Sequence, residues 1–255
     1  LRIAINQPTY LPWLGYFDLI DQVDQFVILD NVQFSRQSWQ QRNRIKTAAG
    51  LQWLTVPVQI RGRSGQLIKD VEIRDPAFCR SHIRAIELAY RRSTFFDEHF
   101  GSIKQILERR SSGLLVDLNL ELITWMMRVL QISTPVVRAS ALGVSGQRTK
   151  LLADICMALG ASEYVSPLGS TAYLLAEQEI LRNHGVEISF QNFVHPEYRQ
   201  LFGAFTPFAS AIDLIFNHGE SSLAILRSGR RPAYSLEEVS AMHAATSAAQ
   251  AARVA

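Results

Sequence analysis

Two stretches near the start, Ile3-Ala-Ile-Asn-Gln-Pro-Thr-Tyr-Leu-Pro-Trp-Leu-Gly-Tyr-Phe17 and Phe26-Val-Ile-Leu-Asp-Asn-Val-Gln-Phe-Ser-Arg-Gln-Ser-Trp-Gln-Gln-Arg-Asn-Arg-Ile-Lys-Thr47, decide the fold class. Each opens as a short apolar strand and breaks into polar and aromatic residues. Between the strands Leu14, Phe17, Leu19, Ile20 and Val23 fall near helical spacing over Trp13–Val23, and Pro12 suits the first turn of that helix. Strand, helix, strand in this order is a right-handed crossover with parallel pairing. The expected fold is therefore α/β, a Rossmann-like, mostly parallel sheet. Asn6 and Gln7 emerge at the same sheet edge as Asp30, Asn31 and Gln33, which is where such sheets hold ligands.

Beyond this unit, Arg42–Thr47 and Leu51–Ile60 read as a hairpin around Ala48-Ala-Gly50. Ile68–Ile73 reads as a short strand ended by Asp75-Pro76. From about 77 to 131 the pattern is helical and predicts an insertion or subdomain within a single α/β domain over 1–235. Strands are expected at Pro135–Ala139, Tyr164–Ser166 and Val186–Phe190. Helices are expected at Thr149–Leu159, capped by Gly160, at Ala172–Leu181 and at Phe208–Phe216. The alanine-rich tail, 236–255, lacks large apolar residues after Met242 and is expected to be frayed or disordered.

With 255 residues, 47% of them hydrophobic, the chain can bury a substantial core. Its apolar runs fall short of the ~20 residues that cross a bilayer, so no membrane insertion is expected. Cys79 and Cys156 stand apart without a ligand motif, which suits reduced thiols and a cytoplasmic location. The net charge is only +3, yet residues 36–110 hold 15 Lys and Arg against 7 Asp and Glu. That local excess suits an anionic ligand: phosphate, a nucleotide or RNA. A solvated basic face is the alternative.

No metal-ligand spacing, Gly-x-Gly-x-x-Gly or Walker pattern occurs, which disfavours metal hydrolases, dinucleotide oxidoreductases and P-loop kinases. His195 is the candidate general base, with Pro196 fixing the chain after it and Glu197, Tyr198 and Gln200 offering partners; a histidine that ties down an irregular loop is the alternative. Asp30, at a strand end, suits orienting a hydroxyl or ribose. Tyr10, Trp13, Tyr16 and Trp39 are candidates for stacking on a base or sugar face, with core packing as the alternative. Arg42, Arg44 and Lys46 alternate along one strand and suit phosphate, with Asn43 between them. Ser166 lies at the carboxyl end of a second strand–loop–helix unit.

At these residues the chain resembles the WbqC-like family. The resemblance rests on the pattern from Gln7 to Phe17, on Leu29-Asp-Asn-Val-Gln-Phe34, Ser38-Trp-Gln-Gln-Arg-Asn-Arg-Ile-Lys46, Leu54-Thr-Val-Pro57, Tyr164-Val-Ser-Pro167 and His195-Pro-Glu-Tyr198, and on Ser210–Asn217. It implies a role beside bacterial cell-surface polysaccharide (O-antigen) synthesis. The opening unit is also similar to that of HIGH-type nucleotidyltransferases such as pantothenate synthetases, which bind ATP at this loop. Here Trp13-Leu-Gly-Tyr16 stands where that class has His-x-Gly-His, so the imidazoles that meet phosphate are replaced. The combined expectation is a transferase acting on a small nucleotide-linked substrate, with a nucleotide or nucleotide sugar as ligand. Nucleotidyl transfer and a non-enzymatic module binding RNA or a glycan precursor are the alternatives.

Overall fold

The computed structural model describes the backbone of residues 1–109 and 112–254 and the side chains of residues 1–109 and 112–246. Arg110, Ser111 and Ala255 lie outside the described residues, as do the tail side chains after 246. The opening unit is strand β1 (Arg2–Asn6), helix α1 (Leu14–Asp21) and strand β2 (Gln25–Ile28). The two strands pair in parallel from Ile3↔Gln25 to Asn6↔Ile28. Strands β3 (Arg42–Thr47) and β4 (Gly50–Thr55) form a separate antiparallel hairpin. Helices α2 (Phe78–Tyr90), α3 (Phe96–Arg109) and α4 (Leu115–Val129) follow.

The chain returns to the sheet with β5 (Val136–Arg138), crosses it through α5 (Arg148–Leu159), and continues with β6 (Glu163–Ser166). Two short helices, α6 (Thr171–Ala176) and α7 (Gln178–Arg182), lead to β7 (Glu187–Phe190). Helices α8 (Ile212–His218) and α9 (Ser222–Ser228), strand β8 (Tyr234–Ser235) and helix α10 (Leu236–Val254) complete it. The sheet order is β5-β2-β1-β6-β7-β8, parallel except for β8. This is the expected Rossmann-like α/β architecture.

Alternation along the strands builds two cores. Ala4, Phe26, Ile28 and Val165 face a cluster shared with α1, α2, α3, α4 and α8. Ile3, Ile5, Val27 and Tyr164 face α5, α6 and α7 on the other side. A sheet covered on both faces needs continuous apolar runs, which is why Ile3-Ala-Ile5 and Phe26-Val-Ile28 contain no polar residue. The chain runs from β1 outward to β2 and β5, then crosses to β6 on β1's other flank. The crevice at the end of β1 is thus a topological switch point. Among the described residues no helix is long and apolar enough to cross a membrane.

Several local expectations change. Ile68–Asp70 is a turn of 3-10 helix, because its amides reach the exit of β2 instead of a ladder: Ile68 N–H donates to the Val32 carbonyl and Lys69 N–H to that of Asp30, each at 2.9 Å. The β4 ladder ends at Thr55, before Pro57, and Val58 retains only a single bridge to Ile73. The helix expected over Ala172–Leu181 breaks at Glu177 into α6 and α7. Helix α8 starts at Ile212, since Ser210 and Ala211 give their amides to the carbonyls of Arg44 and Pro12. Gly160 caps α5 at φ 65°, as expected.

Candidate functional site

A cavity of about 410 Å³ opens at the end of β1. Its floor carries Asn6, Gln7, Gln40 and Asn43; its walls are Trp13, Tyr16, Trp39 and Phe208, with Arg44 at the side. Much of the polar sequence around it serves to hold the two opening stretches together. Gln40 Nε2 donates to Gln7 Oε1 at 2.7 Å, and Asn43 Nδ2 donates to the carbonyl of Leu11 at 2.7 Å. Leu11 has φ 45°, so Asn43 fixes a loop in a conformation that a non-glycine residue adopts only with support. The Tyr16 hydroxyl donates to the carbonyl of Gln7 at 3.2 Å, and burial raises its pKa.

Trp13 caps the amino end of α1 without a side-chain bond and lays its ring over Gly15. A Cβ at Gly15 would stand 2.3 Å from that ring, so glycine is what allows the wall to form. The opposite wall is remote in sequence. Trp13 forms an isolated bridge with Ser210, whose amide donates to the carbonyl of Arg44 at 2.8 Å. These ties bring Phe208 against Trp13, with ring centroids 5.5 Å apart.

Beside the cavity two exposed indoles meet, Trp39 of the cavity wall and Trp53 of the hairpin, with centroids 5.4 Å apart. The Arg42 guanidinium lies 4.4 Å from the Trp53 centroid, and that of Arg44 lies 5.3 Å from Trp53 and 5.6 Å from Trp39. Each such contact stabilises by about 0.5–1 kcal/mol at an exposed site. Arg44 and Trp53 are directly paired across the ladder, which explains the meeting.

His195 sits among Phe193, Trp13, Tyr198, Phe205 and Phe208, with ring centroids 5.4 to 6.3 Å away. Its Nδ1–H faces the carbonyl of Pro196 at 3.0 Å, which leaves the lone pair on Nε2. Nε2 is buried without a partner, and burial lowers the pKa of the imidazole. The imidazole is therefore a neutral base at pH 7. It stands behind the cavity wall, against Trp13 and Phe208, and does not line the cavity.

Of the expected site residues, Asn6, Gln7, Trp13, Tyr16, Trp39, Asn43 and Arg44 converge on one cavity, with Arg42 beside it. Others do not. Tyr10 is fully buried and bonds His82 Nδ1 at 2.8 Å. Asp30 is fully buried too, accepting from Arg138 Nε at 2.6 Å and from the Ser140 hydroxyl and amide at 2.7 and 2.9 Å, so it joins β2 to the end of β5 and does not line the cavity. Lys46 donates to Gln200 Oε1 at 3.0 Å and to the carbonyl of Ala204, and Gln200 Nε2 donates to Asp213 at 2.8 Å. Lys46 and Gln200 thus bind the 200–206 loop to the core. Ser166 is buried, its hydroxyl on the carbonyl of Pro167, and Gln33 is exposed in a bridge with Leu67, away from the cavity. Tyr198 packs on His195, Phe205 and His218.

Phe208, Thr9, Ser38 and Gln40 also line the cavity and were not expected there.

The WbqC-like protein family matches residues 7–225, a span that contains every wall of the cavity. The chain is 36% identical over 228 residues to the protein titled uncharacterized protein Rv1507c of Mycobacterium tuberculosis (strain ATCC 25618 / H37Rv), covering 89% of this chain and 97% of that one. No solved structure matches. Because the family match spans most of the chain, including the residues that wall the cavity at the switch point of the sheet, the chain belongs to the WbqC-like protein family.

Proposed function

We propose that this protein is a transferase that modifies a nucleotide-activated sugar, or a related amine-bearing intermediate of bacterial surface polysaccharide (O-antigen) synthesis, by acyl or aminoacyl transfer. The observation that carries the reading is the cavity at the end of β1, whose 410 Å³ falls within the ~300–1,000 Å³ range of small-ligand sites. Its aromatic walls suit a planar base or a sugar face, its amides suit hydroxyls, and Arg44 suits a phosphate.

In the reaction a substrate amine attacks the carbonyl carbon of an activated acyl donor, such as a thioester or ester. The new C–N bond forms, the bond to the donor's leaving group breaks, and His195 Nε2 takes the ammonium proton and returns it to that group. The support for His195 is its free, buried lone pair, held in one tautomer by Pro196. Trp13 and Phe208 both touch His195 and line the cavity, which His195 does not, so in this reading one of these rings moves before the base meets the amine.

Native mass spectrometry against nucleotides, nucleotide sugars and nucleosides tests the first half. Stoichiometric binding of a nucleotide-linked compound, weakened by Trp39→Ala, is expected; absence of binding by the whole panel overturns the reading. Adding acyl and aminoacyl donors to the bound complex should then produce a mass gain in the substrate that His195→Ala abolishes.

The shielding of His195 favours one other reading, a non-catalytic module that holds a glycan precursor. It predicts tight binding with no mass gain from any donor.

A further inference from the structure

Among the described residues, six arginines are partly buried: Arg2, Arg42, Arg44, Arg63, Arg138 and Arg230. Four of them pair with a carboxylate: Arg2 with Glu163, Arg63 with Glu72, Arg138 with Asp30 and Asp117, and Arg230 with Asp18 and Asp21. Among the described residues no carboxylate lies within salt-bridge distance of Arg42 or Arg44. The Nε of each is buried without a hydrogen-bond partner, and both guanidinium carbons lie within 5.3 Å of the centroid of the same indole, Trp53.

Two like charges drawn over one ring repel each other, and partial burial weakens the solvent screening that would relieve them. An indole satisfies the face of a guanidinium but none of its N–H groups. Stacking therefore holds the two forks in place while their terminal Nη groups remain for a ligand, and an Nη pair so placed is suited to bidentate recognition of phosphoryl oxygens. The residues stand two apart on one strand, hence on one face of the hairpin. Arg44 lines the cavity and Arg42 does not, so the pair leads from the cavity outward over Trp53.

We infer that Arg42, Arg44 and Trp53 form a subsite for a diphosphate, adjoining the cavity, so that a ligand's ring group enters between Trp13 and Trp39 while two linked phosphoryl groups cross the hairpin face. Two separate guanidiniums without counter-ions match a doubly anionic bridge better than a single carboxylate. This subsite deepens the proposed nucleotide-linked reading and rests on it for the ligand's direction. It narrows the substrate class to nucleoside-diphosphate-linked compounds, as against nucleoside monophosphates or free sugars.

Inorganic pyrophosphate is the probe, titrated calorimetrically and by tryptophan fluorescence into the parent protein, Arg42→Ala, Arg44→Ala and Arg42→Lys, each checked for an unchanged unfolding midpoint. The expected result is saturable binding with a fluorescence change, weakened about tenfold or more by either alanine, and only in part restored by lysine, which keeps the charge but loses the fork. Affinity should fall as salt rises. Three results overturn the subsite: no pyrophosphate binding by the parent, equal binding by the alanine variants, or orthophosphate binding as tightly as pyrophosphate. Nucleotide-sugar binding indifferent to Arg42→Ala removes the subsite and leaves the proposed function standing. Pyrophosphate binding that depends on both arginines, with no nucleotide-linked ligand bound, keeps the subsite and removes the proposed function.

Discussion

Single residues separate the lining of the cavity from its scaffold. Tyr10 and Lys46 have the composition of ligand contacts, yet both lie in the core, where their polar ends are met by His82 and by Gln200. Sequence alone could not tell them from Trp39 and Arg44, because both kinds of residue come from the same polar and aromatic run and differ only in what the fold stacks on top. His82 makes the distinction measurable. Burial lowers its pKa from 6.5 to about 4, against a raising contribution from the Thr55 carbonyl. Between those values the unfolded chain binds a proton that the folded protein refuses. The stability held by a neutral His82 is therefore complete above about pH 6.5 and is lost as pH falls towards 4, by about 3 kcal/mol in total. In His82→Gln the unfolding free energy, followed by urea titration from pH 7.5 to 4, should fall less steeply than in the parent.

At the scale of elements, α1 and the β3–β4 hairpin carry the site between them. Helix α1 is short and contains Gly15, where alanine would ordinarily be favoured by about 1 kcal/mol. Here the sign reverses. The added methyl would meet the Trp13 ring at 2.3 Å and push it from the cavity wall, away from Phe193, His195 and Phe208. Gly15→Ala should lower stability instead of raising it, read as a lower urea midpoint, and should weaken binding of the proposed nucleotide-linked ligand by about tenfold or more in calorimetric titration. The elements themselves were largely legible. Periodicity located β1, α1, β2, the hairpin, α2 to α5 and the two strands after them. It failed in the first half of Ile68–Ile73, where the buried Ile68 and Val71 stand three apart across a turn whose amides bond the exit of β2. A short apolar run reports burial, and a compact turn against a core produces one as readily as a strand.

Across the whole molecule, the carboxyl-terminal third closes back onto the opening unit. Arg230 Nε donates to Asp18 at 2.7 Å and a terminal nitrogen to Asp21, while Arg227 reaches Asp21 with two bonds of 2.8 Å. Asp18 is fully buried, and burial raises its carboxyl pKa against the bonds from Gln191 and Arg230. Removing the cation leaves that carboxylate uncompensated. Arg230→Ala is expected to cost about 3–5 kcal/mol, read as a lower urea midpoint at unchanged slope, and Asp18→Asn combined with Arg230→Ala should recover part of the loss.

By itself the sequence determined the α/β class and the parallel opening unit, and it brought Asn6 and Gln7 to the sheet edge where a cavity opens, because these follow from local periodicity and from where apolar runs break. Tertiary structure alone decided which polar residues line that cavity. Asp30 lost its place to an ion pair with Arg138, 108 positions away, and Lys46 to a bond with Gln200, 154 positions away. Phe208 gained its place through the bridge between Trp13 and Ser210. The pairing of a buried charge, or the closing of a wall, depends on groups that only folding brings within reach, and no pattern along the chain records their distance.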